Sequence, residues 1–421
     1  MNKESALHYH KYPEPGKIDI VSSKDCITQH DLSLAYTPGV AEPCREIVLD
    51  SSAAYDYTIK GNLVGVITDG TAVLGLGDIG PLAGKPVMEG KALLFKRFAK
   101  INAFDIEIDE KDPAEFIKIV RSLEPTFGGI NLEDISSPRC FEIEEKLKKI
   151  MNIPVFHDDQ HGTAVICAAG VLNGIEIAGK KPENCKVVVC GAGAAGVSIA
   201  KHLINCGFDE KKIFCFDKDG VLFKGRKETV SPYHSFLFQD TTARTLSELM
   251  DCADVFIGVS VKGLVSEEMI VKMAQNPVIF PMANPDPEIS YEAVMKARPD
   301  AMVGTGRTDY PNQVNNVLGF PAIFRGALDI RATSITEKMK MAATHALVKV
   351  AKMPVIKSVL DVYGLDSLEF GRNYLIPKPF DPRVLVEVAA AVALAGMDEG
   401  VNRINIDIDE YRSRLERDFN V

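Results

Sequence analysis

An α/β protein of two domains is expected from three features of this 421-residue sequence. Short apolar runs separated by helical stretches follow Val187, the pattern of a doubly wound parallel sheet whose strands are buried on both faces. A separate region before it has its own apolar segment, NLVGVITDG. The chain is also long enough to bury two cores. The expected boundaries are 1–160 for an N-terminal α/β domain and 161–421 for the doubly wound domain with its C-terminal helices.

The N-terminal domain continues from NLVGVITDG through a glycine-rich turn, LGLGDIGPLAGK, to an amphipathic helix in FEIEEKLKKI. In the second domain VVVCGAGAAG reads as strand, glycine turn and helix start, and KIFCFD as the next strand. DVFIGVS, PVIFPMANP and AMVGTG supply three more apolar runs. The region after Asn315 is mainly helical and is expected to pack around the second domain. Near its end Asp381 caps a helix that opens with Pro382.

Composition narrows the function classes. A formal net charge of -10 disfavours nucleic acid and anionic membranes as partners, since both would repel the chain. Nine scattered cysteines without a CxxC pair suit reduced thiols better than a disulfide framework. No apolar run reaches the roughly 20 residues that span a bilayer, and MNKESALHYHKYPEPGK lacks a signal-peptide core. A cytoplasmic protein acting on a small molecule is expected.

GAGAAG at 191–196 fits the GxGxxG fingerprint in the context that gives it meaning, after a strand and before a helix. Gly191 allows the tight turn, Gly193 lets a phosphate approach the backbone, and Gly196 admits close packing of helix on strand. With Ala192, Ala194 and Ala195 they form the expected dinucleotide loop of a Rossmann-type domain, the pyrophosphate meeting the free amides of the helix N-terminus. Asp217, ending the next strand, is placed to hold ribose hydroxyls, which favours NAD slightly; as a structural residue it would only close a turn. NADP needs a cation there, and Lys218, Arg226 or Lys227 could supply one.

VFHDDQHGTA sets Asp158 beside Asp159, and GGINLEDI sets Glu133 beside Asp134. Either pair alone is the sort found in a solvated turn. Two pairs, each ending an apolar segment at the same domain boundary, point to a hard divalent cation such as Mg²⁺ or Mn²⁺. His157 and His161 offer a rival, a zinc grip at i and i+4, but it requires helix where IPVF reads as strand.

In order along the chain, LSLAYTPGVAEPC, DGTAVLGLGDIG, GKPVMEGKALLFK, GGINLEDI, FHDDQHGTA, GAGAAG, MANPDPE and NNVLGFPAIFRGAL resemble the shorter, bacterial-type malic enzymes. The likeness runs from about residue 8 to about 400. It implies oxidation of malate with NAD or NADP and a divalent cation, then decarboxylation to pyruvate and carbon dioxide, in a homodimer. By the same resemblance Tyr36 matches the general acid and Lys91 the general base, a role that needs its pKa lowered by burial and the adjacent cation. Glu133, Asp134 and Asp159 match the metal ligands, and Asn284 and Asn316 match substrate amides. Asp158 is then expected to orient the site rather than bind metal. One position departs: Ala72 stands where larger members carry a substrate-gripping arginine, and the sequence names no replacement. Two other functions stay open, a metal-dependent oxaloacetate decarboxylase without a redox role and a dinucleotide-binding regulatory protein that has lost its chemistry.

Overall fold

The computed structural model describes residues 2–227 and 231–421. Its first sheet has four parallel strands in the order β2-β1-β3-β4, from Leu63–Thr68 (β1), Asn102–Glu107 (β2), Gly129–Leu132 (β3) and Val155–His157 (β4). NLVGVITDG supplies β1, which is buried along its whole length, as a central parallel strand must be. FEIEEKLKKI lies in the helix Arg139–Ile150, which buries Phe141, Ile143 and Leu147 and exposes its lysines.

The second sheet has seven strands. They are Val187–Cys190 (β5), Ile213–Asp217 (β6), Gly220–Val221 (β7), Val255–Gly258 (β8), Val278–Pro281 (β9), Met302–Thr305 (β10) and Asn312–Gln313 (β11). Their order is β11-β10-β9-β8-β5-β6-β7, parallel except for the β6–β7 pair. The chain leaves β5 toward β6 on one side and returns to β8 on the other. That reversal opens a crevice at the carboxyl end of β5, where doubly wound sheets bind ligands.

The helix Asp158–Ile177 joins the two sheets and is buried almost throughout, which explains its run of alanines, glycines and valines. Pro382 opens the helix Pro382–Asp398, and the Asp381 side chain accepts the amide of Arg383, as the capping pattern predicts. The C-terminal helices do more than wrap the second sheet. Glu337–Lys352 packs on Asp158–Ile177, whereas Phe320–Asp329 and Pro382–Asp398 lie against Pro81–Ala99 beside the first sheet. The reason is aromatic: Phe320 and Phe324 present their rings to Phe95 at 4.7 and 5.2 Å, edge on, locking the two halves together. No described residue before Leu63 is buried.

Candidate active site

Strands β3 and β4 are parallel neighbours with Leu132 opposite His157, so their carboxyl ends deliver two acidic pairs side by side. Glu133 and Asp134 follow β3, and Asp158 and Asp159 open the helix after β4. Carboxylate oxygens of Glu133, Asp134 and Asp159 lie within 4.8 Å of one another. Asp134 takes a left-handed backbone, φ 54°, and its amide donates to Asp159 Oδ2 at 2.8 Å, tying the third ligand candidate to the second. An all-oxygen set of this spacing fits a hard divalent ion.

Lys91 reaches this cluster from the helix Pro81–Ala99. Its Nζ donates to Asp158 Oδ2 at 2.6 Å, stands 2.8 Å from Glu133 Oε1, and lies 4.4 Å from the centre of the Phe320 ring. Asp158 Oδ2 also accepts from Asn316 Nδ2 at 3.0 Å, and Asn316 Oδ1 accepts from Thr163 Oγ1 at 3.2 Å. The two neighbouring aspartates therefore have separate partners, Asp158 the lysine and the amide, Asp159 the other acidic pair. Gly162 makes room for this arrangement, since a Cβ there would lie 1.8 Å from Asp158 Oδ1.

Among the side chains alone, burial and charge act on Lys91 in opposite directions. Burial does disfavour the Lys91 ammonium, but the carboxylates of Asp158, Glu133 and Asp159 outweigh it and hold the proton above the ordinary lysine range. The lysine is thus not lowered toward neutrality by its protein surroundings. Burial raises Glu133 well above an ordinary carboxylate despite Lys91, and the three neighbouring carboxylates add to the rise. Glu133 and Asp158 share the Lys91 ammonium with Asp159 close by, a crowding of carboxylates that a divalent cation would ease.

The zinc alternative fails on geometry. His161 Nε2 lies 2.8 Å from Glu144 Oε1 and its Nδ1 3.0 Å from Lys340 Nζ, so it serves a different cluster. His157, ending β4, is fully buried, and neither histidine joins the three-carboxylate group.

The glycine loop has the cradle its sequence implies. Gly191 has φ 116°, and a Cβ on Gly196 would lie 1.8 Å from Gly191 O, so helix and strand meet too closely for any side chain. A Cβ on Gly193 would meet nothing within 4 Å, leaving space above the loop. No side chain caps the helix Ala194–Asn205, so its first amides remain available to an anion. Asp217 ends β6 and pairs with Arg226 at 2.9 Å, one of the three cations named for a 2′-phosphate.

Two predicted residues, Asn284 and Tyr36, form no hydrogen bond to Lys91 among the described residues. Asn284 follows β9 on an exposed turn, and its carbonyl crowds Gly75 of the LGLGD turn, where a Cβ would lie 2.5 Å away. Ala72 donates its amide to the Asp134 carbonyl at 2.9 Å, so the missing arginine would have arisen beside the acidic cluster. Arg139, unnoticed in the sequence, bonds Asp69 at 2.8 Å next to that loop and Thr71 Oγ1 at 3.4 Å. Tyr36 ends the helix Gln29–Ala35 and is 69% exposed.

Comparison with known proteins agrees with this geometry. Residues 15–148 match the malic enzyme N-terminal domain and residues 160–361 the malic enzyme NAD binding domain. An NADP-dependent malic enzyme of Halomonas elongata is 54% identical over 95% of both chains. One from Salmonella typhimurium is 53% identical over 98% of this chain and 55% of its own. An NAD-dependent malic enzyme of Rhizobium meliloti is 49% identical over 98% of this chain and 54% of its own, so the chain spans about half the length of several curated relatives it matches. The crystal structure of a malic enzyme from Pyrococcus horikoshii superposes with a TM-score of 0.90 at 43% identity, covering 100% of this chain and 96% of that one. With two domain models in tandem and such identity across nearly all its length, the chain belongs to the malic enzyme family.

Proposed function

We propose that this protein oxidises malate with a nicotinamide dinucleotide and decarboxylates the product to pyruvate. The observation that carries the reading is Lys91, buried and bonded to Asp158 and Glu133 at the edge of a three-carboxylate cation site. Lys91 accepts the proton of the C2 hydroxyl while the C2 hydride leaves for the nicotinamide. Cleavage of the bond to the departing carboxylate then leaves an enolate, and Tyr36 donates the proton that forms the methyl group. Asp158 and Asn316 orient Lys91, and Asn316 and Asn284 hold the substrate. Glu133, Asp134 and Asp159 would hold Mg²⁺ or Mn²⁺, an ion that supplies Lewis-acid polarisation of the substrate oxygens. Its positive charge would also offset the carboxylates that keep Lys91 protonated.

Asp217 as a ribose acceptor favours NAD, while Arg226 on the same carboxylate is the cation that a 2′-phosphate requires. The test is turnover of malate with each dinucleotide, with and without Mn²⁺. Reduction of either dinucleotide only when malate and metal are both present is the expected result. Dinucleotide binding without turnover would leave the regulatory alternative, and a clear NADP preference would overturn the assignment of Asp217.

The homodimer rests on the N-terminal arm. Ile20, Ile27, Val48 and Leu49 are each more than three-quarters exposed on a segment of which no described residue is buried. If these side chains form one patch, a monomer would rarely leave it in water. A second copy that covers the arm would also enclose Tyr36, which a proton donor to a reactive enolate needs. Light scattering that gave a monomer mass would overturn this reading. A cytoplasmic setting fits the nine free cysteines. Among the described residues no helix is long and apolar enough to cross a membrane.

A further inference from the structure

Two turns at the carboxyl end of the second sheet, one after β8 and one after β9, are tied to a single side chain. Glu288 is fully buried. Its Oε1 accepts the Ser260 amide at 2.7 Å and the Ser260 hydroxyl at 2.9 Å, and its Oε2 accepts the Ala283 amide at 3.1 Å. The backbone repeats the join: the Val265 amide donates to the Glu288 carbonyl at 3.1 Å, and the Gly263 amide to that of Pro287 at 3.2 Å. Gly258 leaves the carboxyl group its place, since a Cβ there would lie 2.3 Å from Glu288 Cδ. Among the described residues no lysine or arginine pairs with Glu288, and Lys262 of the same loop goes to Asp286 instead, at 3.5 Å.

Burying a carboxylate without a cation costs desolvation, and an apolar side chain would fill the space more cheaply. What the carboxylate adds is acceptors aimed at two turns at once. Each turn leads to a part of the site. A Cβ on Gly191 would lie 2.4 Å from the Val259 carbonyl oxygen, and the Val259 amide donates to the Cys190 carbonyl at 2.8 Å, so the turn after β8 bears on the dinucleotide loop. Asn284 follows Ala283 directly, and its carbonyl bears on Gly75 of the first domain. We propose that Glu288 is a positioning residue whose carboxylate holds the Asn284 turn at a fixed spacing from the dinucleotide loop, so that the substrate amide and the cofactor cradle stay in register. The part played by Asn284 rests on the malate reading; the clamp itself does not.

Glu288→Gln tests it, because the amide keeps the size of the side chain and loses one acceptor. Its carbonyl oxygen goes to the side with two donors, which leaves Nε2 facing the Ala283 amide, donor against donor, beside Asn284. The malate KM is expected to rise about tenfold, the scale of one unsatisfied buried donor, while the dinucleotide Kd by calorimetry changes less than about threefold. In an Asn284→Ala background the same substitution should add less than about twofold, because the turn then carries no substrate amide to misplace. Equal effects in both backgrounds would make Glu288 a packing residue only and overturn the proposal. Hydrogen exchange by mass spectrometry on the full chain needs no turnover: exchange across 281–288 is expected to quicken about tenfold in Glu288→Gln, with β5 and β6 unchanged. Unchanged exchange overturns the clamp whatever malate does, whereas faster exchange in a protein that turns over no malate sustains the clamp and strikes the malate reading alone. Should Glu288→Gln not fold, Ser260→Ala removes one donor of the three. It is expected to quicken exchange at 259–265 and 281–288 together, and a change at 259–265 alone overturns the proposal.

Discussion

Two ionic clusters flank the first turn of the helix Asp158–Ile177, and they are built to opposite rules. In one, Glu133 and Asp158 pair with the ammonium of Lys91, and Asp134 and Asp159 crowd against Glu133. In the other, Glu144 and Glu337 meet Lys148 and Lys340 around His161, which burial pushes down to about 3 and so leaves neutral. The second cluster balances its charges and is a structural lock. The first gathers more carboxylates around its one lysine than the second does around its two, the kind of acidic crowding that favours a cation. Counting acidic residues would not separate the two; counting the positive charges that reach them does.

The comparison can be broken most sharply at its two lysines. Lys91→Ala is expected to lower kcat on malate about 1,000-fold, the scale of a lost acid–base group. Dinucleotide binding by calorimetry should survive, and Lys340→Met should stay within tenfold of wild type in kcat. Equal losses would show that the balanced cluster is also part of the chemistry.

A smaller effect separates the two aspartates. Asp159→Asn is expected to weaken Mn²⁺ binding about 100-fold in an electron paramagnetic resonance titration, whereas Asp158→Asn, whose side chain serves Lys91 and Asn316, should cost turnover more than metal affinity. Equal loss of metal in both variants would erase the division of labour between them.

The balanced cluster has a pH signature. Burial pushes Lys340 down to about 8 from the usual value of 10.5, so the unfolded chain binds more protons between those limits. Wild-type stability should therefore rise through pH 8–10.5 by about 3 kcal/mol relative to Lys340→Met, as read by urea unfolding at each pH. A flat difference would mean that the ammonium is not penalised by its burial.

The smallest effect lies at the edge of the first sheet, where burial and Asp105 raise Glu107 to about 7. A raised carboxyl makes the fold lose stability as pH climbs from about 4.5 to 7. Glu107→Gln is expected to add about 1 kcal/mol at pH 8 and little at pH 4, and an equal gain at both would assign the effect to packing.

Much of this was legible in the sequence because it is local. Strand, glycine turn and helix succeed one another within GAGAAG and its flanks, and the acidic pairs follow apolar runs directly. The partners of those acids were not legible. Lys91 lies 67 positions from Asp158 and Asn316 lies 158 from it, so only the closed fold reveals that Asp158 is bonded to both. The same holds for the lysine's protonation, which burial alone would have lowered and neighbouring charge raises instead. Tyr36 marks the other limit: its motif is plain, yet its side chain stays 69% exposed in a single chain.

By itself, then, the sequence determined the succession of strands and helices, the glycine turn after β5 and the membership of the malic enzyme family, because periodicity, glycine turns and motif order are properties of neighbours along the chain. Tertiary structure alone decided which carboxylates share Lys91, and that a second, charge-balanced cluster forms around His161 of the same helix. Those outcomes depend on which side chains meet across hundreds of residues, where Coulomb attraction and desolvation compete over a few ångströms.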